Sequence, residues 1–396
     1  MGAAAELDRH PPSVPVAITL VAPDTALVIA PRLYESDLTG VRVPLPGVLG
    51  PLGAAHRQAT VVGIDTGARR LSLSGSAAGS LEYDQLILAI GSHTTGPPGS
   101  EHAHGADTFI RASALQAAVA AGPQRVIVVG GDFTGLELAT EIASGLGERS
   151  EVTVLERAAT VAPQFGPRGR AIIEDALAAL GVRVRPAADV QRVGPRAVWL
   201  AGGERLEADL VVVATGPRAP ALLEQVGGER DRLGRLVVGP GLQTAAPGVW
   251  AAGDSAHALV DGEQPAMMSC QHASPMGLRA GANAAAALRG APPGDYRQPL
   301  YVTCLDLGAA GALVTSGFAR DDVIATGEEA KRIKRFINRS LIYPPVGDRD
   351  ALLKRARQPV PGRRGAAAVR ALLRAAPLRD LAISRAPDRA AEVAGV

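Results

Sequence analysis

Three glycines and one acid lie at spacings that suit a phosphate group and a ribose. The glycines follow an apolar run at residues 126–129 and open a segment with apolar side chains at helical spacing; they are Gly130, Gly131 and Gly135. A second apolar run, residues 152–155, ends at Glu156. Glycines let the backbone approach a diphosphate at the positively polarised start of a helix, and a carboxylate after the second strand can accept hydrogen bonds from a ribose. The pattern predicts a dinucleotide-binding βαβ unit; a coincidental strand, helix and strand is the alternative.

One position in this pattern carries an unexpected side chain. Where such a loop has its middle glycine, close to the diphosphate, the sequence has Asp132. A carboxylate at this point crowds the phosphates and adds like-charge repulsion on the order of 1 kcal/mol. Two interpretations stay open: the loop tilts so that the aspartate points to water, or dinucleotide binding is impaired.

Further small and acidic residues follow apolar strands elsewhere in the chain. Residues 81–92 (LEYDQLILAIGS) and 206–217 (LEADLVVVATGP) repeat one construction, with a small-residue turn at Ala89 and Gly91 in the first copy and at Gly216 in the second. The repeat predicts two related domains. Residues 244–254 (TAAPGVWAAGD) end in Gly253 and Asp254. A carboxylate at a strand end suits a ribose or polyol, and an aspartate that caps the next helix is the alternative.

The composition is that of a globular protein with more than one domain. At 396 residues, 47% hydrophobic and 20% charged, the chain exceeds one ordinary domain and can bury sizeable cores. Its net charge of +2 is uneven, because residues 351–396 contain ten Lys or Arg and only three Asp or Glu. The rest of the chain is therefore mildly acidic, which argues against nucleic-acid binding.

The cysteines and the apolar runs exclude several classes of protein. Cys270 and Cys304 are far apart and form no CxxC pattern. We therefore expect no metal site, no disulfide framework and no paired-thiol redox centre. No apolar run reaches the roughly 18 residues of a membrane span, and the N-terminus lacks a signal-peptide pattern, so a cytoplasmic protein is expected.

The N-terminal segment resembles the later part of another βαβ unit. Residues 2–9 predict a helix and residues 16–21 a buried strand. In the printed sequence, no strand and glycine turn precede them. Two explanations of this missing segment compete: the start of the chain is assigned too late, or the first phosphate-binding loop is truly lost. The late start is favoured because the remaining pattern is intact.

The order of all these segments resembles the FAD/NAD(P)-dependent pyridine nucleotide oxidoreductase superfamily, and within it the type II NADH dehydrogenase-like flavoproteins. The resemblance covers roughly residues 2–345 and includes TGLE at residues 134–137 and PRLY at residues 31–34. It implies that Glu137 lies where nicotinamide meets flavin, that Gln271 approaches the isoalloxazine ring and that Asp254 binds the ribityl chain of FAD. The other implied cofactor contacts are Arg32, Val61, Ala89, Gly91 and Gly253 for FAD, and Gly130, Gly131, Gly135, Glu156 and Gly216 for NAD.

The resemblance also implies a fold and its division into domains. We expect an α/β protein with two Rossmann-like three-layer domains, one for FAD and one for NAD(P), and a small α+β C-terminal domain. The FAD domain comprises residues 1–113 and 238–298, and the NAD(P) domain comprises residues 114–237. The C-terminal interface domain spans residues 299–345, and residues 346–396 form a basic linker and tail.

The implied activity is hydride transfer from NADH to FAD and onward to a quinone or another small acceptor. NADPH stays as an alternative donor, because Arg157 follows Glu156. The rival interpretation is a non-catalytic relative that keeps the scaffold as a binding or regulatory module, which Asp132 and the absent first loop favour. A short basic amphipathic stretch at residues 369–376 suits the inner face of a membrane, but a frayed tail or a homodimer contact is favoured.

Overall fold

Short β-branched runs form strands, and alanine-rich segments form most of the helices, in the computed structural model, which describes residues 1–298 and 300–358. The helices are α1 (Gly2–Arg9), α2 (Pro46–Leu49), α3 (Phe109–Ala120), α4 (Phe133–Leu146), α5 (Pro167–Ala179), α6 (Cys270–Ala287), α7 (Gly327–Phe336) and α8 (Arg349–Ala356). The first nine strands are β1 (Thr19–Ala22), β2 (Ala26–Val28), β3 (Arg42–Pro44), β4 (Ala55–Gln58), β5 (Thr60–Asp65), β6 (Arg70–Ser74), β7 (Gly79–Glu82), β8 (Leu86–Leu88) and β9 (His93–Thr94). The next eight are β10 (Arg125–Val129), β11 (Glu151–Leu155), β12 (Arg183–Arg185), β13 (Val190–Gly194), β14 (Ala197–Leu200), β15 (Arg205–Glu207), β16 (Leu210–Val213) and β17 (Pro217–Arg218). The remaining strands are β18 (Leu236–Val237), β19 (Val249–Ala251), β20 (Ala256–His257), β21 (Leu259–Val260), β22 (Gln264–Pro265), β23 (Val302–Asp306), β24 (Ala312–Ser316) and β25 (Asp322–Thr326).

A parallel sheet in the order β12, β11, β10, β16 forms the middle layer of the central unit. Alternate residues of β10 face opposite layers, as the two-residue period of a strand requires. Val126 and Val128 pack in one core with α4 and α5, whereas Ile127 and Val129 pack against the antiparallel meander β13, β14 and β15. The unit therefore has three layers, and its central strand is buried on both faces.

The N-terminal unit contains two parallel strand pairs, β1 with β4 and β8 with β19. Helix α1 packs closely on α6. A Cβ added at Gly2 would lie only 2.1 Å from the carbonyl oxygen of Leu278. Among residues 1–298 and 300–358, no strand pairs with the second edge of β1 or of β8. A two-stranded link, β9 with β17, joins this unit to the central one.

An antiparallel sheet of β23, β24 and β25 with helix α7 forms the third unit. Its residues Leu305, Leu307 and Leu313 belong to the same apolar core as Leu136 and Leu138 of α4. The C-terminal sheet therefore lies directly against the helix that follows the glycine loop. Two Rossmann-like units and this small α+β unit confirm the predicted fold class.

Two expectations from the sequence are wrong in detail. The strand expected at residues 16–21 begins at Thr19 and is not buried, since Leu20 is 37% exposed; β1 pairs with another strand on one edge only. The linker expected from residue 346 onward is wrong for residues 349–356, which form α8. Leu352 and Leu353 of α8 are buried in one cluster with Ala4 and Ala5 of α1.

Two further expectations concern the tail and the membrane. The basic stretch at residues 369–376 lies outside the described residues. No helix in the described part of the chain combines the length and the apolar character that crossing a membrane requires.

Candidate active site

The glycine loop follows β10 as the sequence predicts, and its geometry explains two of the glycines. Gly130 has φ +107°, and a Cβ there would lie 2.7 Å from the carbonyl oxygen of Ala214. A Cβ at Gly135 would lie 1.9 Å from the carbonyl oxygen of Gly130. A larger residue at either position would push the helix away from the sheet. The loop therefore holds the start of α4 against the carboxyl ends of β10 and β16, where open α/β sheets bind their ligands.

Glu156 lies next to this loop, because β11 pairs with β10 in parallel and Leu155 is level with Val129. Its Oε2 accepts a hydrogen bond of 2.7 Å from the backbone N–H of Gly131, and its Oε1 accepts one of 2.7 Å from Ala158. The residue is 9% exposed. The glycine loop and the Glu156 carboxylate thus form one site. These residues fit a nicotinamide dinucleotide whose diphosphate lies on the loop and whose ribose lies at the carboxylate.

One of our two interpretations held that Asp132 points to water. In the structure, its side chain does not point freely to water. Its Oδ2 accepts a hydrogen bond from Gln164, and its Oδ1 is buried without a hydrogen-bond partner in the described part of the chain. Burial raises the pKa of Asp132 above its ordinary value, although the neighbouring Phe133 backbone N–H and Arg320 act in the opposite direction. The repulsion that this side chain exerts on a diphosphate therefore depends on its protonation state.

The residues predicted after the other apolar strands meet at the carboxyl ends of β8 and β19. Their parallel pairing, Leu88 with Ala251, brings the turn at Ala89 and Gly91 beside Gly253 and Asp254. Both glycines have positive φ, +71° at Gly91 and +63° at Gly253. A Cβ at Gly91 would have no atom within 4 Å, so a ligand can approach the backbone there. Gly216, in the second copy of the turn, is equally open.

Asp254 is bonded to a residue that the sequence analysis did not select. The Ser92 hydroxyl donates a hydrogen bond of 2.6 Å to Asp254 Oδ2. Burial raises the pKa of Asp254, and the bond from Ser92 lowers it. Asp254 forms no helix-capping bond, so the capping alternative is wrong. The position of Ser92 directly after the Ala-Ile-Gly turn was the available signal.

Two predicted flavin contacts lie in the N-terminal unit. Arg32 is 4% exposed, and its guanidinium is bonded to Glu35 (2.9 Å), to the Tyr343 hydroxyl (2.6 Å) and to backbone oxygens. Val61 lies in β5 opposite Leu73 of β6. The structure therefore places Arg32 as a residue that orders its own loop, and Val61 at the end of a β-bulge.

Glu137 forms a buried ion pair that sequence spacing could not reveal. Its Oε1 accepts bonds from Lys334 Nζ (2.8 Å) and from the backbone N–H of Asp306 (3.1 Å). The two side chains are only 9% and 8% exposed. Burial by itself lowers the pKa of Lys334, but the Glu137 carboxylate more than offsets this and holds it above the ordinary lysine value. The pair connects α4 to α7 across nearly 200 residues of sequence.

Gln271 and His272 lie in the first turn of helix α6 and contact the C-terminal unit. The Gln271 amide donates to the Leu300 carbonyl (3.4 Å) and accepts from the Val302 N–H (3.2 Å). His272 is fully buried, and its ring lies nearly parallel to Tyr301 at a centroid distance of 4.9 Å. Burial lowers the pKa of His272 to about 4. Gln271 therefore ties α6 to the C-terminal sheet, and His272 is a neutral core residue.

The arrangement defines a class of protein. Two Rossmann-like units carry open glycine turns and acids at the carboxyl ends of their strands, and a third unit covers the junction. On the flavin side, the described residues that fit FAD are Asp254, Ser92 and Gly91. The fold and the site are those of an oxidoreductase with two dinucleotide-binding domains.

Comparison with known proteins identifies the family. Residues 38–277 match the family model described as pyridine nucleotide-disulphide oxidoreductase. The chain belongs to this family, and it is an NADH-dependent flavoprotein oxidoreductase with FAD and NAD(H) as its cofactors.

Similar proteins carry related descriptions. An NADH dehydrogenase-like protein of Mycobacterium tuberculosis (strain CDC 1551 / Oshkosh) is 41% identical over 90% of this chain and 94% of its own length. A demethylphylloquinone reductase of Synechocystis is 28% identical over 61% of this chain and 65% of its own length. Among solved structures, a water-forming NADH oxidase from Lactobacillus brevis bound to NADH has a TM-score of 0.68 at 22% identity, over 80% of this chain and 72% of that one. This last likeness concerns the fold alone.

Proposed function

We propose that this chain oxidises NADH and passes the electrons to a quinone. The observation that carries the choice of acceptor is the state of the two cysteines. Cys270 and Cys304 are both free thiols. Burial raises the pKa of Cys304 to about 12, which suppresses its reactive thiolate. Cys304 is therefore a poor partner for a disulfide acceptor, and the similarity to a demethylphylloquinone reductase favours a quinone.

The nucleotide preference follows from Glu156. A carboxylate that is bonded to the glycine loop repels the 2′-phosphate of NADPH and accepts hydrogen bonds from the free 2′-hydroxyl of NADH. Arg157 is the neighbouring side chain that could partly compensate a 2′-phosphate, so the preference for NADH is a quantity to measure. We propose the predicted contacts Gly130, Gly131, Gly135 and Gly216 as the backbone surface for this nucleotide.

Bound FAD supplies hydride acceptance and electron transfer. On the protein side, we propose that Asp254 and Ser92 hold the ribityl chain and that Ala89, Gly91 and Gly253 leave room for it. Quinone reduction also consumes protons, and Lys334 Nζ donates a hydrogen bond of 2.8 Å to Glu137 Oε1 where α7 meets α4. We propose Glu137 and Lys334 as the groups that supply a proton, with Gln271 as a positioning residue.

The predicted domain boundaries are also part of the proposal. We propose an FAD domain of residues 1–113 and 238–298, an NAD domain of residues 114–237 and an interface domain of residues 299–345. Strand β9 falls in the proposed FAD domain and strand β17 in the proposed NAD domain, so their pairing links the two. A homodimer contact and a peripheral membrane contact stay predictions.

The test is an anaerobic titration of the FAD-loaded chain. NADH is added until the flavin absorbance is bleached, and then ubiquinone-1, menadione or a disulfide such as oxidised glutathione is mixed in. We expect re-oxidation by at least one quinone more than tenfold faster than by the disulfide. The Cys270→Ala and Cys304→Ala variants serve as matched controls and should leave the quinone rate unchanged.

Two outcomes would contradict the proposal. Faster re-oxidation by the disulfide, lost in either cysteine variant, would show thiol chemistry. A folded chain that takes up no FAD, or whose flavin NADH does not reduce, would support the non-catalytic alternative.

A further inference from the structure

Asp132 occupies the loop position where a dinucleotide diphosphate comes closest to the protein. It is the residue directly before helix α4, and its backbone is extended, with φ −101°. Its side chain makes no capping bond to the helix, although aspartate is well suited to that role. Oδ2 accepts from Gln164, and Oδ1 has no partner in the described part of the chain. A buried carboxyl oxygen without a partner is costly, so this atom has unused binding capacity.

Gln164 links this carboxyl to a buried cation. The Gln164 Oε1 accepts a hydrogen bond of 2.6 Å from Arg320 Nη1 while the other end of the same amide donates to Asp132. Arg320 follows strand β24, is 3% exposed and has φ +53°, an uncommon value for a residue with a side chain. The guanidinium carbon lies 5.5 Å from the ring centroid of Phe165 and 5.7 Å from those of Phe133 and Tyr301.

The charge of Arg320 is not balanced by a direct ion pair. Within residues 1–298 and 300–358, no carboxylate forms a salt bridge with it. Burying a cation in this way is expensive unless hydrogen bonds and nearby charge compensate. The charged groups that face Asp132 are Arg320, from the C-terminal unit, and Glu156, from the end of β11. One attracts an ionised Asp132 and the other repels it.

We propose that Asp132 takes up a proton when the dinucleotide binds and that the protonated Oδ1 donates a hydrogen bond to a diphosphate oxygen. Gln164 and Arg320 hold the carboxyl in place. The bond that forms is O–H···O between the neutral carboxyl and the phosphate, and the proton comes from solvent. The bound diphosphate brings negative charge close to the buried guanidinium. This inference rests on the proposed binding of the nucleotide at the glycine loop.

The physical reason is a competition between two forms of one side chain. An ionised Asp132 repels the diphosphate, whereas a protonated one offers it a hydrogen bond. Burial, the largest influence on this carboxyl, raises its pKa and therefore makes proton uptake easier. A glycine at this position would bind the diphosphate equally well at all pH values. The inferred consequence is an affinity for the nucleotide that falls as the pH rises.

The test is isothermal titration calorimetry of the FAD-loaded chain with tetrahydro-NADH, a redox-inert analogue of NADH, from pH 5 to pH 9. Measurements in buffers of different ionisation enthalpy give the number of protons taken up. For the unmodified chain we expect an uptake that approaches one proton and a Kd that rises up to about tenfold per pH unit above the pKa of Asp132. For Asp132→Asn we expect a nearly constant Kd and almost no uptake.

A matched control removes an acid that follows the far end of the same helix. Glu148 is exposed beyond the opposite end of α4, and Glu148→Gln should keep the pH dependence of the unmodified chain. The same pH dependence and proton uptake in Asp132→Asn as in the unmodified chain would overturn the inference and leave the proposed function intact. Binding by no variant at any pH would overturn both, and the NADH titration of the flavin would then fail as well.

Discussion

The ion pair between Glu137 and Lys334 supports the sharpest prediction, because removing one partner strands the other inside the protein. We consider Lys334→Met, which keeps the length of the side chain and removes the charge. After this change, Glu137 keeps only the Asp306 N–H at 3.1 Å as a partner for its Oε1. The carboxylate has 9% of its side chain exposed, so water cannot replace the lost cation.

The magnitude follows from distance and burial. Two unit charges 2.8 Å apart attract each other by about 6 kcal/mol at an effective dielectric constant of about 20. The cost of burying both charges offsets most of this attraction, so the intact pair stabilises the fold only slightly. Removing one charge alone leaves the burial cost of the other, and we expect a loss of about 3–5 kcal/mol in the free energy of unfolding.

Urea unfolding of the FAD-loaded chain, followed by circular dichroism, measures this loss. The double variant Glu137→Gln with Lys334→Met should recover most of it, because no buried charge is then left without a partner. Lys354→Met on the exposed face of α8 is the matched control and should change stability by less than about 0.5 kcal/mol. A loss below about 1 kcal/mol for Lys334→Met, or no recovery in the double variant, would refute the reasoning.

Three further predictions concern the cofactors and pH. Asp254→Ala should weaken FAD binding by about tenfold to a hundredfold, measured by flavin fluorescence on the apoprotein, because the carboxylate and its Ser92 bond are lost; unchanged affinity would contradict the assignment. Glu156→Ala should lower the preference for NADH over NADPH at least tenfold in kcat/KM, since the repulsive carboxylate is removed. The buried His272 stays neutral down to pH about 4, whereas the unfolded chain binds its proton near pH 6.5. Stability should therefore fall by about 3 kcal/mol between pH 6.5 and pH 4, and His272→Gln should abolish this part of the pH dependence.

Much of the fold was predictable from local sequence patterns. The run at residues 126–129 has no polar alternation, and it forms the strand that is buried on both faces. Gly130 and Gly135 lie where a Cβ would strike the backbone, which is why a glycine pattern indicates this loop. Such signals are local: a short strand, a tight turn and a helix start each depend on a few consecutive residues.

The partners of the site residues were decided by the tertiary structure alone. Nothing near Glu137 in the sequence indicates Lys334, because the two residues meet only where the C-terminal unit packs against α4. Arg320 and Gln164 meet Asp132 from two different units for the same reason. Burial and charge at these positions depend on long-range packing, and a sequence pattern with a period of two or 3.6 residues contains no information about it. The sequence by itself thus determined which backbone turns follow the buried strands, and the tertiary structure decided which charges are paired and which are buried.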